Sequence, residues 1–265
     1  PGTHSIKNVT INFADADNDD FHLALNDAVA RNAGTSSPLD SGSEAGMTNV
    51  VDIDGTARGN VWDVGADEAP VEFVSTICEN TSAGGDCATA DYHRLYDWEA
   101  GVNSNLVASG TVVYSGTLIG TLNKDAEVTL INPGGATTSI TAKVVATTSN
   151  QILLKELSSL EDNLSSYLSI ASGSVWRLDD SNYWTIAGTG DDLGAPVIAV
   201  AKIDGTWSTA DTQPVVIDGW STGPGNYIKI YTTDLARHNG KWSNDCLLYT
   251  SPSPRDLSTS RMPSS

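Results

Sequence analysis

Between Thr111 and Leu122 the chain reads "TVVYSGTLIGTL", and "AEVTLI" (126–131), "SITAKVVATT" (139–148) and "QILLKEL" (151–157) follow at short intervals. Each is a brief run of β-branched and apolar residues bounded by Gly, Asn, Asp or Pro. Such runs suit a pleated, half-buried strand, and the residues between them suit turns. The pattern continues outward in both directions. "VWRLDDSNYWTIAG" (175–188) predicts a hairpin turning at Asp179-Asp180-Ser181-Asn182, and "PVIAVAKIDGTW" (196–207), "QPVVIDGW" (213–220) and "NYIKIYTT" (226–233) predict further strands. Toward the N-terminus "SIKNVTINF" (5–13) alternates through Ile6, Val9 and Ile11. Many short strands with turn signals every ten or so residues predict a mainly β chain, as a sandwich, barrel or solenoid. The short helical candidate outside this pattern is "FHLALNDAVARNAG", Phe21 to Gly34.

"IDG" occurs at Ile53, Ile203 and Ile217. Asp-Gly suits a tight turn because glycine accepts positive φ, so the three copies read as turn punctuation.

Composition excludes several classes of function. With 14 Lys plus Arg against 33 Asp plus Glu, the formal net charge is −19. Nucleic-acid binding depends on cations that neutralise phosphates, and anionic membranes also repel such a chain, so neither is an expected partner. The charge favours solubility and cation binding. No apolar run is long enough to cross a membrane. Seven Trp and eight Tyr supply material for a core despite a hydrophobic content of only 39%.

The last twenty residues, "CLLYTSPSPRDLSTSRMPSS" (246–265), break with all of this. Back-translated, they resemble a sequencing adapter read in one frame, interrupted by a short index at Leu257 to Thr259. The expectation is that 246–265 is non-native, and that the gene was assembled from environmental DNA and is a fragment. Excluding Cys246 leaves Cys78 and Cys87 around the Gly-rich "CENTSAGGDC". A local disulfide is the expected pairing, which points to an oxidising, extracellular setting; the alternative is two free thiols in a cytosolic chain. Asn8, Asn80 and Asn163 open glycosylation sequons by pattern.

Catalytic signatures are missing. There is no H-E-x-x-H, no G-x-S-x-G and no Walker loop, and "GTGDDLG" (188–194) precedes a strand rather than a helix. His4, His22, His93 and His238 are isolated, without metal-ligand spacing. No catalytic residue is assigned. "DADNDD" places Asp15, Asp17 and Asp19 at alternate positions, as at the start of a calcium loop. Asp20 stands where an EF-hand needs glycine and Asn26 where it needs a bidentate Glu, so a solvated acidic turn competes with structural calcium.

"DFHLALNDAVARNAG" (20–34) followed by "TNVVDIDGTARGNVWDVGADE" (48–68) resembles the closing segment of bacterial surface proteins with a right-handed parallel β-helix. That family carries "FHL…SPAI.AG", then "D-x-D-G-x-x-R" and "D-x-G-A-x-E". Asn26-Asp27 replaces the usual Ser-Pro here. The resemblance implies a structural cap built from Asp54, Gly55, Arg58, Trp62, Asp63, Gly65 and Glu68, with Arg58 pairing to Asp63 or Glu68. "GDCATADYHRLYDWEAGVNSNLVA" (85–108) is similar to the family's opening segment, "GDY.TL..WE", through Asp91, Tyr92, Leu95, Trp98 and Glu99. "VVIDGWSTGPGNYIKIYTTDLARHNGKW" (215–242) is similar to the first coils behind it.

The implied organisation is a closing segment at 1–70, a disulfide loop and opening helix at 71–108, and a small β-barrel or sandwich inserted at 109–190. First coils of a next β-helix follow at 191–245. The implied role is a secreted or cell-surface structural or adhesive protein, with glycans or neighbouring copies as partners. Two alternatives remain open: a truncated carbohydrate-active β-helix enzyme, lyase or hydrolase, and a fibre subunit donating "SIKNVTINF" as a strand.

Overall fold

The computed structural model describes residues 9–18, 20–24, 27, 29–30, 63, 69–80, 82–107, 111–155, 170, 172–187 and 197–237. They are mainly β. The first pair, β1 (Phe13–Asp15) and β2 (Asp20–Leu23), is an antiparallel hairpin joined by a 3-10 turn over Ala16–Asn18. A helix over Phe21 to Gly34 is not formed at the described positions, because Phe21–Leu23 is strand. The buried Asp27 carboxylate then turns the chain by accepting from the N–H groups of Asn12 (2.7 Å), Val29 (2.9 Å) and Ala30 (2.6 Å). These bonds satisfy backbone donors in a turn, which is the preferred use of Asp.

The strands predicted between 111 and 188 form a closed antiparallel barrel. They are β4 (Val112–Ile119), β5 (Glu127–Ile131), β6 (Thr137–Thr147), β7 (Gln151–Lys155), β8 (Val175–Arg177) and β9 (Tyr183–Ile186), hydrogen-bonded in the order β4-β7-β6-β5-β8-β9 and back to β4. Its interior holds Val112, Tyr114, Val128, Leu130, Val144, Ile152 and Leu154 around the cross-strand pair Trp176 and Trp184. Closure depends on β4 changing partners midway. Val112 to Ser115 pair with β7, and Gly116 to Ile119 pair with β9. At that switch a Cβ on Gly116 would lie 2.1 Å from the Thr185 carbonyl and 2.6 Å from the Trp184 indole nitrogen, so only glycine fits.

Alternation carries the other side chains of the same strands outward. Val113, Leu153, and Val145 with Ala146 beside a register shift in β6, leave the barrel and join a second core. That core lies against a parallel sheet ordered β11-β10-β3, made of β3 (Val71–Ile77), β10 (Val197–Ile203) and β11 (Ile228–Thr232). Phe73, Ile77, Ala199, Ala201 and Ile203 face α1 (Leu95–Val102), which contributes Trp98 and Val102. Central β10 is buried at every position except Lys202, as expected of a parallel strand covered on both faces.

Three stretches depart from the expected strand pattern. "VEFVSTI", not anticipated as a strand, is β3. "QPVVIDGW" forms no strand, and Val216 is 72% exposed. Of "SIKNVTINF" (5–13), residues 9–12 are described and are not strand, Phe13 opens β1, and 5–8 lie outside the described residues. Parallel pairing among the described residues amounts to these three strands and the isolated bridges Ile77–Tyr92 and Asn105–Ser221, and a wound solenoid is not seen among them.

Candidate functional site

The described features that organise a site gather at the two ends and the outer edge of the parallel sheet. At the C-terminal end of β10, Asp204 is buried. Its carboxylate accepts hydrogen bonds from the Thr233 hydroxyl (2.6 Å) and from the N–H groups of Asp86 (2.9 Å) and Gly205 (2.8 Å), with the Lys202 ammonium 3.5 Å away. Burial alone would raise its pKa. The hydrogen bonds from Thr233, Asp86 and Gly205, with the Lys202 charge, outweigh it and hold the carboxyl at about 2.

Cys78 and Cys87 form the disulfide, Cα atoms 5.6 Å apart, that folds residues 78–87 over this carboxylate. Glycine is required on both sides of the contact. Gly85 and Gly205 have φ of 56° and 74°, and a Cβ on either would fall within 2.5 Å of the Asp204 carboxylate or the Cys87 sulfur respectively. Lys202 closes the ring with an ion pair to Asp86.

The "IDG" turn at 217–219 is gripped by α1. Trp98 stacks on Trp220 with centroids 5.6 Å apart, and the buried Glu99 accepts from the Asp218 N–H at 3.3 Å. Lys124, from the turn before β5, donates to the Ala100 and Asn103 carbonyls at 3.1 and 2.9 Å. A cation there satisfies orphan carbonyls and complements the negative end of the helix.

The outer edge of β3 is sealed without a strand. The Gln151 side-chain amide accepts from the Val74 N–H (2.8 Å) and donates to the Glu72 carbonyl (2.9 Å), as a neighbouring peptide group would. Asp91 accepts from the N–H groups of Thr76 (2.7 Å) and Ser149 (2.9 Å), tying the sheet to the barrel's β6–β7 turn. Burial raises the Asp91 pKa to about 6 against the pull of those two bonds. Burial and the Asp91 charge push the Tyr92 phenol up to about 12.

Beside the disulfide loop lies a cleft of about 720 Å³, within the range of ligand sites. One wall comes from Glu79 and from His93, Arg94 and Asp97 at the start of α1; the other comes from the loop that begins at Trp207. Glu79 fixes that loop. Its carboxylate accepts from the Ser208 N–H (2.6 Å), the Ser208 hydroxyl and the Thr209 hydroxyl, and these bonds lower its pKa. The Trp207 indole N–H donates to the Asp204 carbonyl at 3.0 Å, and His93 Nδ1 donates to the Cys78 carbonyl at 3.1 Å, leaving its Nε2 as an acceptor. Arg94 and Asp97 are exposed, and among the described residues their side chains form no hydrogen bond or ion pair.

Of the residues expected to bind calcium, Asp17 is exposed in the 3-10 turn, Asp15 ends β1 and Asp19 lies outside the described residues. Among the described residues no three His, Cys, Asp or Glu side chains gather to hold a metal. Of the expected cap, Asp63 is buried and accepts from the Ala69 N–H at 2.8 Å; Asp54, Gly55, Arg58, Trp62, Gly65 and Glu68 lie outside the described residues. Sequence reasoning missed Asp204, Gln151 and Trp207. For Asp204 the only signal was the repeated tripeptide.

Compared with protein-family models, curated proteins and solved structures, the chain matches none of them.

Proposed function

We propose that residues 71–237 are the starting unit of a right-handed parallel β-helix in a secreted or cell-surface protein, serving a structural or adhesive role toward glycans or neighbouring copies. The observation that carries this reading is the polarity of the parallel sheet. Its strands are added in chain order from β3 through β10 to β11, the β3 edge is closed by Gln151 and Asp91, and the β11 edge pairs with nothing among the described residues. Ile230 and Tyr231 on β11, and Tyr227 just before it, are exposed. Apolar groups next to unpaired backbone fit a surface that a further coil covers, since each solenoid unit relies on its neighbour for burial. The Cys78–Cys87 disulfide suits an oxidising compartment.

The test is amide exchange on the full chain. Val74 and Thr76 on β3 are expected to exchange slowly and Ile228–Thr232 on β11 faster. Protection of Ile228–Thr232 equal to that of Val74 and Thr76 would refute the reading, because the outer edge of β11 would then already be covered.

A further inference from the structure

We infer that the cleft between the start of α1 and the Trp207 loop is a saccharide-binding site selective for neutral sugars. The inference deepens the adhesive reading above by naming a site and a ligand class, and it rests on that reading only for its biological setting.

Three features of the cleft carry it. First, its wall is assembled and rigid. The disulfide loop, the Glu79 carboxylate and the Trp207 indole bond hold the two sides, although they come from distant parts of the chain. A preformed cleft costs a ligand little ordering. Second, its uncommitted groups are of mixed kind. Asp97 and His93 Nε2 accept, Arg94 donates, and Trp207 adds partly buried aromatic surface. Vicinal hydroxyls both donate and accept, and a sugar ring has an apolar C–H face, so a saccharide can use all of these at once. A purely apolar ligand would leave the charged groups desolvated and unpaired. Third, the charge balance discriminates. Glu79, Asp97 and Asp211 outnumber Arg94, and the whole chain carries −19, so uronates, sulfated sugars and phosphates are repelled. The same charge would attract a cationic peptide, so the titration includes one as the competing ligand.

The experiment titrates the full chain, 15N-labelled, with cellotriose, chitotriose, trigalacturonate and a Lys-Gly-Lys tripeptide in turn. The neutral trisaccharides are expected to shift the Trp207 indole N–H saturably. Their affinity should fall about tenfold in Arg94→Ala or Asp97→Ala, the loss expected of a charged hydrogen bond. Asp180→Ala, whose side chain is 95% exposed in the β8–β9 turn, should change nothing. The inference is overturned by no shift with either neutral sugar, by tighter binding of trigalacturonate or of the peptide, or by unchanged affinity in both cleft variants. Exchange at Ile228–Thr232 relative to Val74 and Thr76 in the same samples tests the starting-unit reading separately, so failure here is distinguishable from failure of that reading.

Discussion

β3 and β11 pair in parallel with the same central strand, yet they meet the outside differently. β3 has its free backbone groups taken up by the Gln151 amide and the Asp91 carboxylate, and its apolar face lies under α1 and the outer wall of the barrel. β11 leaves Ile230 38% and Tyr231 39% exposed. A sheet edge is a template for further pairing unless something blocks it. The lesson is directional: the barrel and α1 together close one end of the parallel sheet, so on the proposed reading growth runs from the other end alone.

The comparison breaks most completely if the shared core is removed. Trp98 is fully buried and lies on Trp220, in one cluster with Phe73, Ala199 and, from the barrel wall, Leu153. Trp98→Ala should cost about 3–5 kcal/mol in urea unfolding, the range for emptying an aromatic site, and should expose both edges together. Reducing Cys78–Cys87 should cost less, about 2–3 kcal/mol for so short a loop. Its structural consequence is local, because it frees residues 78–87 from Asp204. Thermal melts with and without reductant should show the drop in the parent and none in Cys78→Ser/Cys87→Ser.

Two carboxylates give the sheet opposite pH dependences. Asp91, on the sealed edge, has a folded pKa of about 6 against an ordinary 3.8. Between those values the folded state holds more protons than the unfolded one, so this group's contribution to stability falls as pH rises through the window and is level above it. Asp204, at the end of β10, has a folded pKa of about 2 against 3.8. Its contribution is present above the ordinary value and is lost as pH falls toward 2. Asp91→Asn should therefore flatten the decline between about pH 4 and 6 while leaving the acid limb intact, read from urea midpoints across pH.

Much of the barrel was legible because its strands are local alternating runs, and the 175–188 hairpin announced its turn. What could not be read was closure. Barrel, sandwich and solenoid share the same strand content, and the choice rests on Gly116 meeting Thr185 and Trp184 far along the chain. β3 was missed because it sits directly after Pro70 and before Cys78, at the start of the stretch expected to form the disulfide loop and opening helix. "QPVVIDGW" was overread because Val215, Val216 and Ile217 have β propensity but find no partner strand among the described residues, and tertiary context overrides propensity. The disulfide was legible once Cys246 was set aside. Asp204 was not, since its tripeptide matches that of Asp218, and only partners 29 and 118 residues away separate a buried hub from an exposed turn.

The finest division between the edges is a pair of single substitutions. Gln151→Ala removes both bonds that imitate a neighbouring strand, leaving the Val74 N–H and the Glu72 carbonyl without their partner. An unsatisfied, partly buried backbone group costs about 1–3 kcal/mol, so a loss in that range is expected, with faster amide exchange at Val74. Ile230→Lys on β11 places a charge where the side chain already meets solvent, and should stay within about 0.5 kcal/mol. A lysine on an edge strand also opposes pairing with another chain, so this variant should reduce any self-association seen in sedimentation. Equal costs for the two substitutions would mean that the edges are not physically different, and the direction of growth would lose its basis.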